Sequence, residues 1–364
     1  MSKKGKPLFG NLRYCTRCCL PETVEGISFD ELGICTVCRS SEQKMHFNWN
    51  ERRRMLEKML LNFKDREGSS YDCIVPISGG KDSVFQLHII TQVYNLRPLA
   101  VTFNHNWYSK TGKYNLENAL ERFDVDHIMY TPKRSLVNRL AKKSLYKIGD
   151  SCWHCHAGVG AFPLQVAVKF NIPLLIWGES VAEVSGRATY QDEIQFDAEY
   201  FIKMSARVRP EGMVGADIQG KELCMFMTPS EEELKRVGVV GIHLGDYFFW
   251  DHERQVEFIK EKYGWKEDNV EGTYKKYKSV ECIMAGVHDY AKFLKRGFGR
   301  ATDHVTQDIR AGLMNREEGF DIIRKIDPKE PKSLQKYRKA TGLTKDEFIR
   351  VCKSLRGEKA KDLP

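Results

Sequence analysis

Ser78-Gly79-Gly80-Lys81-Asp82-Ser83 is a stretch whose residue types and spacing could hold a polyphosphate. It follows the apolar run Cys73-Ile74-Val75-Pro76-Ile77 and precedes a helix-patterned segment. Adjacent glycines let the backbone turn sharply and approach an anion closely, and a helix starting there points free N–H groups at that anion. Lys81 adds a mobile positive charge. The spacing is not that of the Walker loop, which needs G-x-x-x-x-G-K-[ST]. Asp82 has two readings: a carboxylate ligand for a magnesium ion that bridges phosphates, or a cap for the helix that follows.

Two CxxC pairs offer a different chemistry. Cys15 and Cys18 are followed, sixteen residues after Cys19, by Cys35 and Cys38. Four thiolates so spaced can converge tetrahedrally on zinc, in a closed structural site with no open position for catalysis. Cys19 is a substitute for Cys18, although the CxxC spacing favours Cys18. A third group, Cys152-Trp153-His154-Cys155-His156, has half-site spacing for a second metal or an iron–sulfur cluster, with Cys224 or Cys282 as a distant third thiolate. Its other reading is two packed cysteines at a helix start.

These residues need a scaffold, and the chain has the length for one. Its 364 residues are 41% hydrophobic and 29% charged, which predicts a folded chain of more than one domain. No stretch reaches the apolar length that spans a bilayer, and the basic start Met1–Lys6 leads into no apolar signal core, so a cytoplasmic protein without membrane insertion is expected. Eleven cysteines then count as reduced thiols. The net charge of +9 suits anionic small molecules as well as nucleic acid. The basic residues are spread out and interleaved with 49 acidic ones, so nucleic acid is not the expected partner.

The patterning divides the chain into a zinc-ribbon segment (1–50), a connector helix (51–70), an α/β domain (71–250) and a C-terminal helical region (251–364). Around the connector, residues 41–66 put Met55, Leu56, Met59, Leu60 and Phe63 on one helical face. Strands are expected at Cys73–Ile77, Leu99–Phe103, His127–Tyr130, Pro173–Trp177 and Val239–Leu244. Helices are expected at Val84–Tyr94 and near Tyr114–Phe123, Ser135–Tyr146 and Gly158–Phe170. Such βα repeats predict a doubly wound parallel sheet with ligands at the carboxyl ends of its strands. Two later helix starts carry capping signals, at Thr228-Pro229-Ser230-Glu231 and at Thr344-Lys345-Asp346-Glu347.

Strand ends then supply further candidates. Phe103-Asn104-His105-Asn106 closes the second strand and could line a nucleoside pocket. Trp177-Gly178-Glu179-Ser180 closes a later one, where Gly178 permits close approach and Glu179 could hold magnesium or a substrate amide. Arg296, Arg300, Asp303 and His304 surround two glycines that break a helix. They suit bidentate recognition of a diphosphate or carboxylate, or else mark a helix terminus with solvated charges.

The Ser78–Ser83 loop resembles the SGGxDS loop of the PP-loop ATP pyrophosphatases, which implies the adenine nucleotide alpha-hydrolase-like fold and ATP with Mg²⁺ at this loop. Together with Cys15–Thr23, Gly149–His156 and Arg296–Val305, it resembles the N-acetyl sugar amidotransferases of bacterial surface-polysaccharide synthesis, the WbpG type. In that family ATP adenylates the carbonyl oxygen of an acetamido group on a nucleotide-activated sugar, and ammonia displaces AMP to leave an acetamidino group. Lys81 and Asp82 in that loop, with Glu179 from its strand end, are the expected catalytic residues, Lys81 neutralising the departing pyrophosphate. The expected nucleotide contacts are Ser78, Gly79, Gly80, Lys81, Asp82, Ser83, Phe103 and Gly178. The resemblance also implies ammonia from a glutaminase subunit and a cyclase-like barrel, similar to those of imidazole glycerol phosphate synthase, because nothing here looks like a glutamine-hydrolysing domain. The alternative is a PP-loop transfer-RNA thiolase, dependent on an iron–sulfur cluster at Cys152 and Cys155.

Overall fold

The computed structural model describes residues 4–180, 182, 199–200 and 202–364. In the N-terminal segment the helices α1 (Thr36–Lys44) and α2 (Trp49–Leu60) follow the cysteine knuckles. Residues 73–177 alternate strand and helix: β1 (Cys73–Pro76), α3 (Lys81–His88), β2 (Pro98–Phe103), α4 (Lys110–Phe123), β3 (His127–Tyr130), α5 (Arg134–Ile148), α6 (Trp153–Phe170) and β4 (Leu174–Trp177). After α7 (Glu231–Val237) and β5 (Val240–His243), the rest is helical: α8 (His252–Tyr263), α9 (Ala285–Arg296), α10 (Arg300–Arg310), α11 (Arg316–Ile326), α12 (Ser333–Thr341) and α13 (Lys345–Ser354).

The five strands form one sheet in the order β3-β2-β1-β4-β5, and every pairing is parallel. All residues of β1 and β2 are buried, as a central parallel strand covered on both faces requires. Successive side chains take opposite sides. Cys73 and Val75 join Leu56, Leu87, Trp250, Val256 and Ile259 in one core. Ile74, on the other face, joins Leu140, Trp153, Leu164 and Phe226. The order reverses between β1 and β4, so a crevice opens there at the carboxyl ends of the strands. No helix among the described residues is long and apolar enough to cross a membrane.

Three expectations shift. The charged stretch 41–66 forms two helices rather than one, because Asn48 accepts a hydrogen bond from the Glu51 amide and restarts the chain. Its buried face excludes Met55, which is 58% exposed, while Leu56 beside it is fully buried. The helix expected at Thr228 begins at Glu231 instead. Two overlapping T/S-x-x-E boxes compete there, and the later one, Ser230 with Glu233, closes in both directions, leaving Pro229 outside. At Thr344 the expected box forms with Glu347. Finally, α6 starts at Trp153 rather than near Gly158, which puts Cys155 and His156 in its first turn.

The two ends of the chain pack on each other. Arg316 of α11 donates through Nε to the Cys15 and Cys18 carbonyls, at 3.1 and 2.9 Å. Cys19 is buried against Val305, Phe320 and Ile323, and that burial pushes its thiol up to about 12.

Candidate active site and a four-cysteine centre

The glycine turn is built for close approach. Gly79 has φ +78°, and a Cβ placed on it would stand 2.7 Å from both the Gly112 carbonyl oxygen and the Leu116 amide of α4. Trp265 fixes the turn from behind by donating its Nε1–H to the Gly79 carbonyl at 2.9 Å. Gly80 is the N-cap of α3, and no side chain caps that end, so helix N–H groups are left to face an anion. Ser83 Oγ bonds the Gly80 carbonyl at 2.9 Å, and Ser78 Oγ accepts from the Gly80 amide at 3.3 Å. Gly79→Ala combines roughly 1–3 kcal/mol of backbone strain with a backbone clash. It is expected to lower the melting temperature by several degrees; an unchanged melting curve would refute this account of the turn.

Asp82 does not cap α3. Its carboxylate accepts from the Lys81 ammonium at 2.6 and 2.5 Å and from Trp250 Nε1 at 3.1 Å. Lys81 is only 4% exposed and also meets His252 Nδ1 at 2.9 Å. His252, the first residue of α8, places Nε2 2.7 Å from Glu179 Oε1 at the end of β4. A ligand atom from each of Asp82, Glu179 and His252 lies within 4.8 Å of the others, a grouping that could hold a metal ion. Burial alone would raise both carboxyls, but neighbouring cations reverse it. Lys81, with His252 and Lys278, holds Asp82 well below the usual range, and His252 with Lys278 brings Glu179 down to about 2.

Lys81, Asp82 and Glu179 line a cavity of about 770 Å³, within the roughly 300–1,000 Å³ usual for small-molecule sites. The lining also draws on residues between 277 and 307 and on Val24 and Glu25. Its cations are mostly matched: Arg300 Nε donates to Asp289, Lys292 to Asp303, and Arg296 to Glu25 at 2.6 Å. Lys278 differs. It is 9% exposed, its ammonium sits 5.9 Å from the Tyr277 ring centroid, and no carboxylate among the described residues lies within ion-pair distance of it. Burial, and Lys81 beside it, push its ammonium down to about 8, against the pull of Glu179 and Asp82. Glu281 packs beside Gly80, its Oε2 3.4 Å from where a Cβ on that glycine would stand, and burial raises its carboxyl.

The cavity thus gathers Ser78, Gly80, Lys81, Asp82, Ser83, Gly178 and Glu179. Phe103 also borders it, but its ring is mainly a core element: it is 4% exposed and packs where a Cβ on Gly158 would sit. Arg296, Arg300, Asp303 and His304 stand at the junction of α9 and α10, and all four line the cavity. His252, Lys278 and Glu281 were missed in the sequence. They carry no motif, and only the Asp251 cap ahead of His252 leaves a local trace.

The four cysteines Cys15, Cys18, Cys35 and Cys38 are buried together. Their Sγ atoms approach at 3.9 Å (Cys15 to Cys38) and 3.8 Å (Cys18 to Cys35). That is far beyond a disulfide bond and matches the roughly 3.8 Å edge of a tetrahedron with 2.3 Å metal–sulfur bonds. The donor set therefore fits zinc, and it is Cys18 rather than Cys19 that takes part. Cys282 lies in the same apolar cluster as Cys152 and Cys155. Cys224 is exposed, with its carbonyl bonded to Gln165, and no third thiolate closes on the pair at ligand distance among the described residues.

Residues 271–361 match a family model described as "LPS biosynthesis protein WbpG-like, C-terminal domain". It is this C-terminal segment that is similar to that domain. An uncharacterized protein of Methanocaldococcus jannaschii is 22% identical over 326 residues, covering 88% of this chain and 96% of that protein. Lys278, Glu281 and Arg300 fall inside the matched segment, whereas the glycine turn, Glu179 and His252 fall outside it.

Proposed function

We propose that the chain is an ATP-dependent amidotransferase of surface-glycan synthesis, acting on a nucleotide-activated N-acetyl sugar. The observation that carries this reading is the meeting, at the strand-order reversal, of an uncapped helix N-terminus behind Gly79-Gly80 with Lys81, Asp82, Glu179 and Lys278. Such a site suits a polyphosphate whose charge changes during reaction.

The acetamido carbonyl oxygen attacks the α-phosphorus of ATP, the bond to the β-phosphate oxygen breaks, and pyrophosphate leaves. Ammonia then adds to the activated carbon; the C–O bond to AMP breaks, and the amidine nitrogen keeps or sheds the remaining proton. An amide is a poor electrophile, and exchanging its oxygen for an AMP leaving group makes the second step feasible, with proximity supplying much of the rest. Lys81 and Lys278 stabilise the negative charge that accumulates on pyrophosphate. Asp82 and Glu179 are the carboxylates that would hold magnesium, which would neutralise phosphate charge when bound. Ammonia comes from a separate glutaminase with a cyclase-like barrel subunit.

The test is to incubate the chain with ATP, ammonium and candidate UDP-N-acetyl sugars. AMP and pyrophosphate are expected only when the right sugar is present, and glutamine is expected to replace ammonium only with a second protein added. Formation of ADP and phosphate, or turnover indifferent to sugar, would sink the proposal.

A further inference from the structure

A third grouping of side chains that could hold a metal ion lies at the start of α6, outside the groups assigned to the reaction. Asp150 and Cys152 are 8% and 7% exposed, and His288 reaches them from α9. One ligand atom from each of the three lies within 4.8 Å of the other two. His288 Nδ1 is 3.4 Å from Asp150 Oδ1, and His156 Nδ1 is 3.2 Å from Asp150 Oδ2. Bonds of 2.0–2.3 Å to a tetrahedral centre put neighbouring ligand atoms roughly 3.3–3.7 Å apart, so the spacing suits co-ligands.

The orientation points the same way. Both Nδ1 atoms are buried and stand at ion-pair distance from the Asp150 carboxylate without reaching full hydrogen-bond geometry. Leaving two buried ring nitrogens so close to a carboxylate and unbonded is costly. One cation held by His288, Asp150 and Cys152 would satisfy the His288 nitrogen. The surroundings already fix the donors: the Cys152 amide donates to Asp150 Oδ1 at 2.6 Å, and Ser144 Oγ donates to the Asp150 carbonyl at 2.6 Å. Such backing is what ligating groups generally have. Access exists too, since His288 and Cys155 line the cavity.

We infer that Asp150, Cys152 and His288 bind a zinc-type divalent ion whose fourth position opens to the cavity, with His156 steadying Asp150 through its other oxygen. One thiolate, one imidazole and one carboxylate form a borderline donor set that suits zinc rather than magnesium or calcium. Three protein ligands with an open fourth place are the arrangement of a site that exchanges a small ligand such as water.

Metal content of the purified full chain, by mass spectrometry of the elements, tests this without any nucleotide or sugar, so its failure leaves the proposed reaction untouched. Two zinc equivalents per chain are expected, on purification or after zinc titration, falling to one in His288→Gln and in Cys152→Ser. Cobalt substitution should give visible ligand-field bands that diminish, without vanishing, in His288→Gln. Two variants and a melting curve for each separate metal loss from misfolding. A ceiling of one zinc per chain in the wild type, no loss in a folded His288→Gln, or iron with acid-labile sulfide in place of zinc would overturn the inference.

Discussion

Cys38→Ser is expected to release zinc, unfold the N-terminal segment and reduce turnover nearly to background. The local core consists of Leu20, Ile27 and Val37 with the four cysteines themselves, so little apolar burial remains once the metal is lost. Structural zinc contributes about 10–16 kcal/mol to small domains of this kind, comparable to the roughly 5–15 kcal/mol that holds a whole protein folded. The damage would not stay local. Val24 and Glu25 line the cavity, and Glu25 pairs with Arg296 and Arg207. Limited proteolysis between residues 13 and 40, a colorimetric zinc assay and AMP formation would measure the three effects. A protease-resistant N-terminus with normal turnover would remove the case for a structural metal.

Lys278→Met is expected to lower kcat/KM by about 10²–10³, the scale of losing one preorganised charge from a transition state. The buried ammonium has no carboxylate of its own among the described residues, which leaves it available to a phosphate. Its depressed pKa, about 8, has two measurable consequences. Between pH 8 and the unfolded value of 10.5, the unfolded chain binds more protons, so this group makes stability rise with pH across that window. The gain is on the order of 3 kcal/mol, fully lost below pH 8 where the buried charge is retained. The methionine variant should lack that slope. A polyphosphate beside Lys278 should also raise its pKa, so nucleotide binding at pH 8 should take up protons. Titration calorimetry in buffers of different ionisation enthalpy would detect this, and equal uptake by wild type and Lys278→Met would rule Lys278 out as the source.

The sheet was legible in the sequence because a strand buried on both faces must be apolar throughout, and each strand lies within about two residues of its expected place. The four-cysteine centre and the glycine turn were equally open to inspection, since their chemistry depends on short spacings. What stayed hidden are His252, Lys278 and Glu281. Lys278 and Glu281 lie about 200 residues from Gly80, and His252 about 170 from Lys81; only the docking of the later chain, in which Val256 and Ile259 of α8 enter the core around β1, brings them together. The arginines at 296 and 300 were visible as candidates, but their burial depends on that docking. The Cys152 cluster was weighed as a thiol site, whereas the partners that approach it are a carboxylate and an imidazole.

The pairing of Glu25 with Arg296 has a consequence for protein engineering. A fragment comprising only the α/β portion would carry the phosphate turn yet lack one rim of its bowl, and the isolated C-terminal helices would carry the cations with nothing to face them. Chimeras that graft those helices onto a related sheet would need to import the N-terminal cysteine knuckles as well, so that Arg296 again finds Glu25.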